Sequence, residues 1–457
     1  MTKSFTGDIH KKHSFACACG QTHTNPIGET VIRPGALSEL PAVVERLGLN
    51  KKLVVVTDAM VNDIVGKRIV EEWRQAGLSV ETVVFPLPLI PDERALGVIL
   101  VALERGCGAV VGLGGGSITD LTRYVGTKMG VPQISCPTAI THDGFFTDMA
   151  LLIVGGMKST LPGDPPTAVL ADMDVIKNAP VRMNAAGLGE MSAKQTALCD
   201  WYAASLIKGE HYCEETEALM KEAIAEAFES SAGVRRGDPE ALNKLADALY
   251  KSAVDMYWYG SARTGAGAEH HLTHYWVMRH NARGEKPNLH GAEAGVGSVL
   301  VCDLWARLLA IDETAFDAEA AVAKMPTKEE WEERVKQGYG EAAPEAFKAQ
   351  KNKSFSKEER RQEVQAILAA LPKCREKFAG FLPNYKELAQ KLREAGAPYA
   401  PCQLHVTREE LVDSVRYAKE VRSKYTSLWI VDALGLLEEF AQALADDAEA
   451  LYSELGE

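Results

Sequence analysis

The sequence predicts two domains: an α/β domain built on a parallel sheet over residues 1–180, and an all-α domain over residues 181–457. Up to about residue 180, short β-branched runs alternate with helix-like stretches, a pattern typical of a parallel sheet covered by helices. Three glycines follow the strand predicted at 109–113, as in a tight strand-to-helix turn. Beyond residue 180, strand-like runs nearly vanish and long stretches rich in Ala, Leu and Glu dominate. This change of pattern places the boundary near residue 181.

Periodicity predicts the elements of both domains. In the first domain we expect strands at 53–57, 78–85, 109–113, 133–136 and 168–171, and helices at 61–75, 91–105 and 117–129. The last of these helices is expected to be capped at or near Ser117. In the second domain an apolar helical face covers 436–451, and Thr327-x-x-Glu330 and Thr407-x-x-Glu410 predict capping boxes.

Composition excludes several classes of protein. The chain has 457 residues, of which 46% are hydrophobic and 25% charged, as in soluble globular proteins. Its net charge of −13 argues against nucleic acid or an acidic membrane as partner, while a local cationic pocket for a small anion remains compatible with it. The amino terminus is polar, nine cysteines suggest reduced thiols, and no apolar run reaches the roughly 20 residues that span a bilayer. We therefore expect a cytoplasmic protein without membrane insertion.

The glycine-rich segment Gly112–Ser117 is a candidate nucleotide-binding turn. Glycines between a strand and a helix let backbone N–H groups approach a pyrophosphate at the positive helix end. The segment is not the common GxGxxG fingerprint, so a turn that needs glycine only for its conformation is the alternative. Asp58 follows the first predicted strand and could accept hydrogen bonds from an adenosine ribose. Its alternative role is to cap the next helix.

Histidines are concentrated at 270–274 and 290. His270 and His274 share one helical face, and two histidines about 20 residues apart suit a catalytic metal that keeps open positions. Glu190, in the segment that opens the helical domain, is the candidate third ligand, although an acid there could equally complement a helix dipole. The motif Cys17-Ala-Cys19-Gly-x-x-His23 lacks a second cysteine pair. It therefore predicts a hairpin turn rather than a zinc site.

Taken together, these segments resemble the metal-dependent dehydrogenases that include iron-type alcohol dehydrogenases, glycerol dehydrogenase and dehydroquinate synthase. The resemblance covers nearly the whole chain and is carried, in the family's order, by CxCGxxH, GGGSITDLTRYVG, PTAITHDGF, GMKSTLP, AGLGE, GAEHHLTHYW, LHGAEAGVG and the tail YAKEVRSKYTSLWIVDALGLLEE. Within the family, the sequence is most similar to the sn-glycerol-1-phosphate dehydrogenases of bacterial type.

The resemblance implies a dehydroquinate synthase-like fold with a Rossmann-like NAD(P)-binding domain, one divalent metal ion (zinc, nickel or iron) and a homodimer. The metal ligands would be Glu190, His270 and His290. The catalytic residues would be Asp143 and His274, and the substrate would be bound by Asp143, Lys158 and Arg263. The NAD(P) cofactor would be bound by Asp58, Gly114, Gly115, Gly116, Ser117, Asp120, Thr138 and Lys158.

The implied reaction is reduction of dihydroxyacetone phosphate to sn-glycerol 1-phosphate by NAD(P)H, a step of phospholipid metabolism. The sequence departs from the family at Glu190, where aspartate is usual in this branch, and at His142, Asp148, Thr264 and Ala266. These departures leave open another small phosphorylated or phosphonate-bearing carbonyl as substrate. Glutamate at position 190 also leaves open a lyase resembling dehydroquinate synthase, and a protein that binds nucleotide without catalysis is a third alternative.

Overall fold

The structure, a computed structural model, describes residues 5–155, 157–286 and 288–456, without the side chains of Met157 and Lys158. It forms two compact units. The first comprises Met1–Gly187 and Ala225–Gly260, and the second comprises Leu188–Ile224 and Ser261–Glu457. The boundary therefore lies at 187 rather than 180, and one later helical segment returns to the first unit.

The nine strands of the described residues all lie in the first unit. Seven form one sheet in the order β1-β2-β9-β6-β5-β3-β4, and β7 and β8 form a separate antiparallel hairpin. All neighbours in the large sheet are parallel except β1 and β2. The bounds are β1 Lys11–Ala16, β2 Thr22–Arg33, β3 Lys52–Asp58, β4 Ser79–Phe85, β5 Ala109–Gly114, β6 Gln133–Pro137, β7 Met149–Val154, β8 Met157–Pro162 and β9 Ala168–Asp172.

Helices cover the sheet and make up most of the second unit. Their bounds are α1 Leu40–Arg46, α2 Ala59–Val61, α3 Lys67–Gln75, α4 Glu93–Ala102, α5 Gly116–Met129, α6 Met173–Ile176, α7 Val181–Lys208, α8 Glu214–Glu229, α9 Ser231–Val234, α10 Pro239–Tyr259, α11 Ala268–Ala282, α12 His290–Leu309, α13 Ala318–Ala323, α14 Lys328–Tyr339, α15 Ala343–Ala349, α16 Lys357–Phe378, α17 Tyr385–Ala395, α18 Arg408–Tyr417, α19 Ser427–Ala433 and α20 Leu437–Leu455. None of the helices, over the residues described, is long and apolar enough to cross a membrane.

Burial explains why the central strands read as continuous apolar runs. All six residues of β5 are buried, and β3 is buried from Leu53 to Thr57. A parallel sheet covered on both faces has this pattern. Valines alternate between two apolar clusters: Val55 lies in one with Trp73, and Val54 lies in the other with Ile118. The predicted parallel α/β domain is confirmed.

The sheet order places a topological switch point between β3 and β5. From β3 the chain crosses to β4 on one side, and then returns to β5 on the other side. In open α/β sheets, ligands bind where the crossover direction reverses, outside the carboxyl ends of the strands. Asp58 ends β3 and Gly114 ends β5, so both candidate cofactor residues flank this point.

The sequence predicted five strands of the large sheet, β3, β4, β5, β6 and β9, and missed β1 and β2 at one edge and the separate β7–β8 hairpin. Each predicted strand is present to within two residues, but β2 was not predicted because Asn25, Pro26 and Gly28 interrupt its apolar pattern. The helix expected at 61–75 begins at Ala59 and contains a π-helical segment, Asn62–Gly66. The hairpin expected at 17–23 joins β1 to β2.

The predicted caps were partly right. Both capping boxes, at Thr327 and Thr407, are present. The helix expected to be capped at or near Ser117 begins at Gly116, and its N-cap is Gly115, which provides no side-chain hydrogen bond.

Helix α10 belongs to the first unit because its buried face pairs with the amino-terminal strands. The amide of Asn25 donates to the hydroxyl of Tyr250 at 2.9 Å, and that hydroxyl donates to the carbonyl of Ile9 at 2.8 Å. A helix far along the chain thus supplies core to the α/β unit, which local sequence patterns do not reveal.

Candidate active site

The glycine turn between β5 and α5 has the shape expected of a pyrophosphate cradle. A Cβ atom on Gly114 would lie 2.9 Å from Cγ1 of Ile118, so the strand approaches the helix too closely for a side chain. A Cβ on Gly115 would meet nothing within 4 Å, so the backbone there faces open space. No side chain caps α5 among the described residues, which leaves its first N–H groups to an anion.

The other candidate cofactor residues surround this turn. The backbone N–H of Thr138 donates to the carbonyl of Gly114 at 3.2 Å, which holds the end of β6 beside the turn. Asp120 lies one turn into α5, 3.7 Å from the guanidinium of the buried Arg123. Asp58 accepts a hydrogen bond from the N–H of Val61 at 3.0 Å. Asp58 therefore caps α2, the alternative role considered above, and its remaining carboxylate oxygen still lies at the switch point.

Asp143 lies in the loop after β6, within the first unit. It is 8% exposed, and the hydroxyl of Ser252 donates to its Oδ2 at 2.9 Å. The neighbouring His142 accepts a hydrogen bond from the N–H of Gly144 and stacks on Phe145 at 4.8 Å between ring centroids. His142, one of the departures from the family pattern, thus shapes the loop that carries Asp143.

In the second unit the three predicted metal ligands come together. One ligand atom each of Glu190 on α7, His270 on α11 and His290 at the start of α12 lies within 4.8 Å of the others. Nε2 of His270 is 3.4 Å from Glu190 Oε1, and Nε2 of His290 is 3.8 Å from Glu190 Oε2. Oε2 of Glu190 is buried without a hydrogen-bond partner among the described residues. A buried carboxylate oxygen of this kind beside two imidazoles fits a divalent cation.

A contact with the carboxylate of Glu269 orients His270. Its Nδ1 lies 2.9 Å from Oε1 of Glu269, a contact that directs Nε2 towards Glu190, as in carboxylate–histidine–metal arrangements. Burial lowers the pKa of His270, but hydrogen bonds to Glu190 and Glu269 outweigh burial and raise it to about 9. From the sequence, Glu269 was only a neighbour of the histidines, and its support of His270 was missed.

The remaining histidines of α11 differ in their surroundings. The ring of His274 lies 6.4 Å from that of His270 and 6.2 Å from that of His290, between centroids. His271 points elsewhere and has no hydrogen-bond partner for either ring nitrogen within the part of the chain described. Burial lowers the pKa of both His271 and His274 well below the ordinary value.

Lys194 completes the buried cluster and was not assigned a role from sequence. Its ammonium group donates to Glu190 Oε1 at 2.7 Å and to the carbonyl of Gly265 at 3.1 Å. The four-residue spacing from Glu190 on a helix was a usable signal, because a buried carboxylate needs a cation nearby.

Arg263, predicted to bind a substrate phosphate, is held within the protein through Nε and Nη2, whereas its buried Nη1 has no hydrogen-bond partner among the described residues. It is 4% exposed, its Nε donates to Glu210 at 2.7 Å, and its Nη2 donates to the carbonyls of Asp200 and Tyr425. Most of its donors are therefore committed within the protein. Lys158, predicted beside it, has a side chain outside the described residues.

Lys424 is a second cation that sequence reasoning missed. Its Nζ donates to the carbonyl of Ala262 at 2.7 Å, in the segment that leads to His270. Desolvation and the charge of Arg263 lower its pKa to about 7, while Glu269 acts in the opposite direction. An anion beside such a buried ammonium group would be favoured.

Several known proteins are similar to this chain in sequence. The family model for iron-containing alcohol dehydrogenase matches residues 31–180. The chain is 33% identical over 291 residues to glycerol-1-phosphate dehydrogenase [NAD(P)+] of Geobacillus thermodenitrificans, covering 62% of this chain and 70% of that one. The same enzyme of Thermococcus kodakarensis is 32% identical over 60% of this chain and 77% of that one. That of Bacillus licheniformis is 28% identical over 93% and 94%.

Solved structures of low sequence identity share the fold. Glycerol dehydrogenase of Schizosaccharomyces pombe has a TM-score of 0.59 and 16% identity, covering 98% of this chain and 95% of that one. Maleylacetate reductase of Agrobacterium tumefaciens has a TM-score of 0.57 and 17% identity, covering 92% and 98%.

Proposed function

The chain belongs to the family of NAD(P)+-dependent glycerol-1-phosphate dehydrogenases, and we propose that it reduces dihydroxyacetone phosphate to sn-glycerol 1-phosphate with NAD(P)H, reversibly. The observation that carries the proposal is the cluster of Glu190, His270 and His290. Its mixed nitrogen and oxygen donors are those of a metal site with positions left for a substrate. The enzyme is therefore a metal-containing alcohol dehydrogenase.

The donor set suits zinc, nickel or iron. Glu190 and the two histidines would hold the ion, and Glu269 would keep the ring of His270 oriented. The chemistry that these groups would supply when bound is polarisation of the ketone oxygen by the ion and hydride donation by the nicotinamide. Lys194 keeps the carboxylate of Glu190 ionised in the buried cluster, so that this ligand is charged when the ion arrives.

NAD(P)H is assigned to the switch point of the first unit. The uncapped N-terminus of α5 would bind the pyrophosphate through the N–H groups at Gly116 and Ser117. The open space at Gly115 lets the phosphates approach the backbone. Asp58 would accept hydrogen bonds from the adenosine ribose with the carboxylate oxygen that does not cap α2, which favours NADH.

The substrate phosphate is assigned to Lys424 rather than to Arg263. Nζ of Lys424 contacts the carbonyl of Ala266 at 3.4 Å, and Nζ of Lys194, which pairs with Glu190, donates to the carbonyl of the neighbouring Gly265 at 3.1 Å. This proximity to the metal cluster supports the assignment. A phosphate beside Lys424 would keep its ammonium group protonated. Lys158 keeps its predicted role as a second cation. The product hydroxyl would take its proton through His274, whose ring neighbours both histidine ligands, and Asp143 is the second candidate donor.

The proposal is tested by comparing kcat/KM for dihydroxyacetone phosphate and for dihydroxyacetone, with NADH and the metal-loaded enzyme. A strong preference for the phosphorylated ketone, and a product that is the sn-glycerol 1-phosphate enantiomer, are expected. Equal efficiency on both ketones would contradict the phosphate assignment. Turnover of a phosphorylated substrate without net NADH oxidation would instead favour a lyase resembling dehydroquinate synthase.

One observation favours a second candidate, a dehydrogenase for another small carbonyl. Arg263 is bound to Glu210 and two backbone carbonyls, so a cation that the sequence predicted for the phosphate is largely engaged within the protein. A panel of small phosphorylated, phosphonate-bearing and uncharged carbonyls, assayed by NADH oxidation, separates the two candidates. We also propose that the protein forms a homodimer, which light scattering coupled to size-exclusion chromatography tests.

A further inference from the structure

The turn between β1 and β2 brings together three side chains with metal-binding donors. The thiols of Cys17 and Cys19 and the imidazole of His23 place one ligand atom each within 4.8 Å of the others. Backbone hydrogen bonds fix the turn: the N–H of Cys17 donates to the carbonyl of Gln21 at 2.9 Å, and that of Gly20 donates to Cys17 at 3.1 Å. Gly20 has a φ of 88°, which glycine adopts without strain. We propose that Cys17, Cys19 and His23 bind a structural zinc ion.

The contact between Cys19 and His23 has the spacing of two ligands on one ion. Sγ of Cys19 lies 3.5 Å from Nε2 of His23. Tetrahedral zinc with bond lengths of about 2.3 Å to sulfur and about 2.0–2.1 Å to nitrogen separates two such ligands by about 3.6 Å. The site therefore needs little rearrangement to accept zinc. On binding, each thiol gives up its proton and ligates as the thiolate, with no change of oxidation state.

The protein also fixes the tautomer of His23 that ligation requires. Nδ1 of His23 lies 2.6 Å from the carbonyl oxygen of Trp258, to which it donates its proton, and the residue is 1% exposed. This leaves the lone pair of Nε2 directed at Cys19. Metal-ligating histidines are typically held in this way, with the second ring nitrogen donating to a carbonyl or carboxylate.

Aromatic rings of the first unit pack against His23, while Cys17 and Cys19 are half-buried. Phe15 contacts His23 edge-on at 5.3 Å between centroids, and Trp258 stacks with His23 at 5.9 Å. These rings keep water from the imidazole of His23 and hold it in place as a ligand. Zinc at this point would fasten the β1–β2 hairpin to the end of α10 through His23.

The chemistry of the donors separates this site from the cluster at Glu190. Two thiolates and an imidazole are soft donors that favour zinc, whereas the cluster at Glu190 offers no sulfur. A fourth donor that completes the tetrahedron would be water or one further cysteine of the chain. The proposal therefore adds a structural metal to the catalytic one, and it does not depend on the substrate of the enzyme.

Cobalt substitution tests the proposal, since cobalt bound to thiolates has a near-ultraviolet charge-transfer absorption that nitrogen and oxygen ligands do not produce. We expect the full-length wild type, purified under reducing conditions, to bind one zinc or cobalt ion at the hairpin in addition to that at Glu190, with the thiolate absorption. The double variant Cys17→Ser/Cys19→Ser should lose the absorption and one metal equivalent. His290→Ala should keep the absorption and lose the other equivalent.

Cys107→Ser is the matched control, because Cys107 is a half-buried thiol of the same unit that donates to the carbonyl of Ala109 instead. It should keep both ions and the absorption. The proposal is overturned if the wild type shows no thiolate absorption, or if its two hairpin thiols are joined as a disulfide after reducing purification. Both results can be obtained even if the double variant fails to fold. Single Cys→Ser changes at the remaining cysteines show whether a third thiolate contributes.

Discussion

The ammonium group of Lys194 lies 2.7 Å from Oε1 of Glu190, and both side chains are 2% exposed. Burial alone would raise the pKa of Glu190, but the charge of Lys194 and contacts with His270 and His290 hold it well below its ordinary value. A buried ion pair is costly to break, because the remaining charge is left without a partner. Lys194 therefore stabilises the ligand cluster before any metal binds.

Replacing Lys194 should destabilise the metal-free protein and make it more dependent on metal. We expect Lys194→Met to lower the free energy of unfolding of chelator-treated protein by about 3–5 kcal/mol, and added metal to recover much of that loss. The measurement is urea denaturation with and without the ion. Lys67→Met, which removes an exposed pair with Asp63, is the control and should cost only about 0.3–0.5 kcal/mol. If Lys194→Met lowers the free energy of unfolding as little as the control does, the ion pair does not stabilise the metal-free cluster.

Metal affinity should rise with pH up to about pH 9. In the metal-free protein the contacts of Glu190 and Glu269 outweigh burial and raise the pKa of His270 to about 9. Below that pH the ion must displace the proton of His270 Nε2, so affinity should increase about tenfold per pH unit between pH 7 and pH 8.5. Isothermal titration in buffers of different ionisation enthalpy should detect the released proton at pH 7.5. Affinity that stays constant over this range would mean that His270 is already neutral.

Asp58 carries two roles that substitution can separate. Asp58→Asn keeps a side-chain acceptor for the N–H of Val61 but removes the charge that would repel a 2′-phosphate. We expect Asp58→Asn to raise kcat/KM for NADPH relative to NADH at least about fivefold, because removing a repulsion of ~1 kcal/mol changes the ratio by that factor. The free energy of unfolding should change little. Asp58→Ala should also lose about 1 kcal/mol as a helix cap is removed. If the cofactor ratio stays the same in both variants, Asp58 is only a cap.

Lys424 and Arg263 should respond differently to removal. Lys424→Met should lower kcat/KM for dihydroxyacetone phosphate at least about tenfold, because a lost charge-assisted contact of ~1.4 kcal/mol has that effect. The kcat/KM for dihydroxyacetone should stay nearly unchanged. Arg263→Met should cost about 3 kcal/mol in stability, because it leaves Glu210 and the carbonyls of Asp200 and Tyr425 without their donor. Its ratio of efficiencies on the two ketones should stay near that of the wild type. The opposite result would return the phosphate to Arg263.

Sequence patterns were sufficient where local physics determines the structure. The strands β3 and β5 were predicted because residues buried on both faces leave continuous apolar runs. The three residues of the metal cluster were identified because Glu, His and His at those positions resemble a family pattern, and the structure brings them within 4.8 Å of one another. Buried apolar runs and short motifs can be recognised in the sequence without knowledge of the tertiary fold.

Tertiary pairing accounts for what the sequence did not reveal. Arg263 was expected to face the substrate, but Glu210 and Tyr425, far from it in the chain, take up its donors. The return of α10 to the first unit depends on contacts such as that of Tyr250 with Asn25, which no periodicity indicates. The CxC motif was judged too incomplete for zinc, and only the structure shows how His23 is held by the carbonyl of Trp258.

The central claim is that the cluster of Glu190, His270 and His290 supports metal-dependent reduction of dihydroxyacetone phosphate. The most direct measurement follows NADH oxidation with this ketone by the metal-loaded wild type, by the same protein after chelation, and by His290→Ala and His271→Ala. We expect one NADH to be oxidised per molecule of sn-glycerol 1-phosphate formed, and activity to be lost on chelation and in His290→Ala. His271→Ala should keep the bound metal and the dependence of activity on it. Two results would contradict the assignment of this cluster. The first is NADH oxidation that survives chelation. The second is NADH oxidation that stays intact in His290→Ala and is lost, together with the bound metal, in His271→Ala.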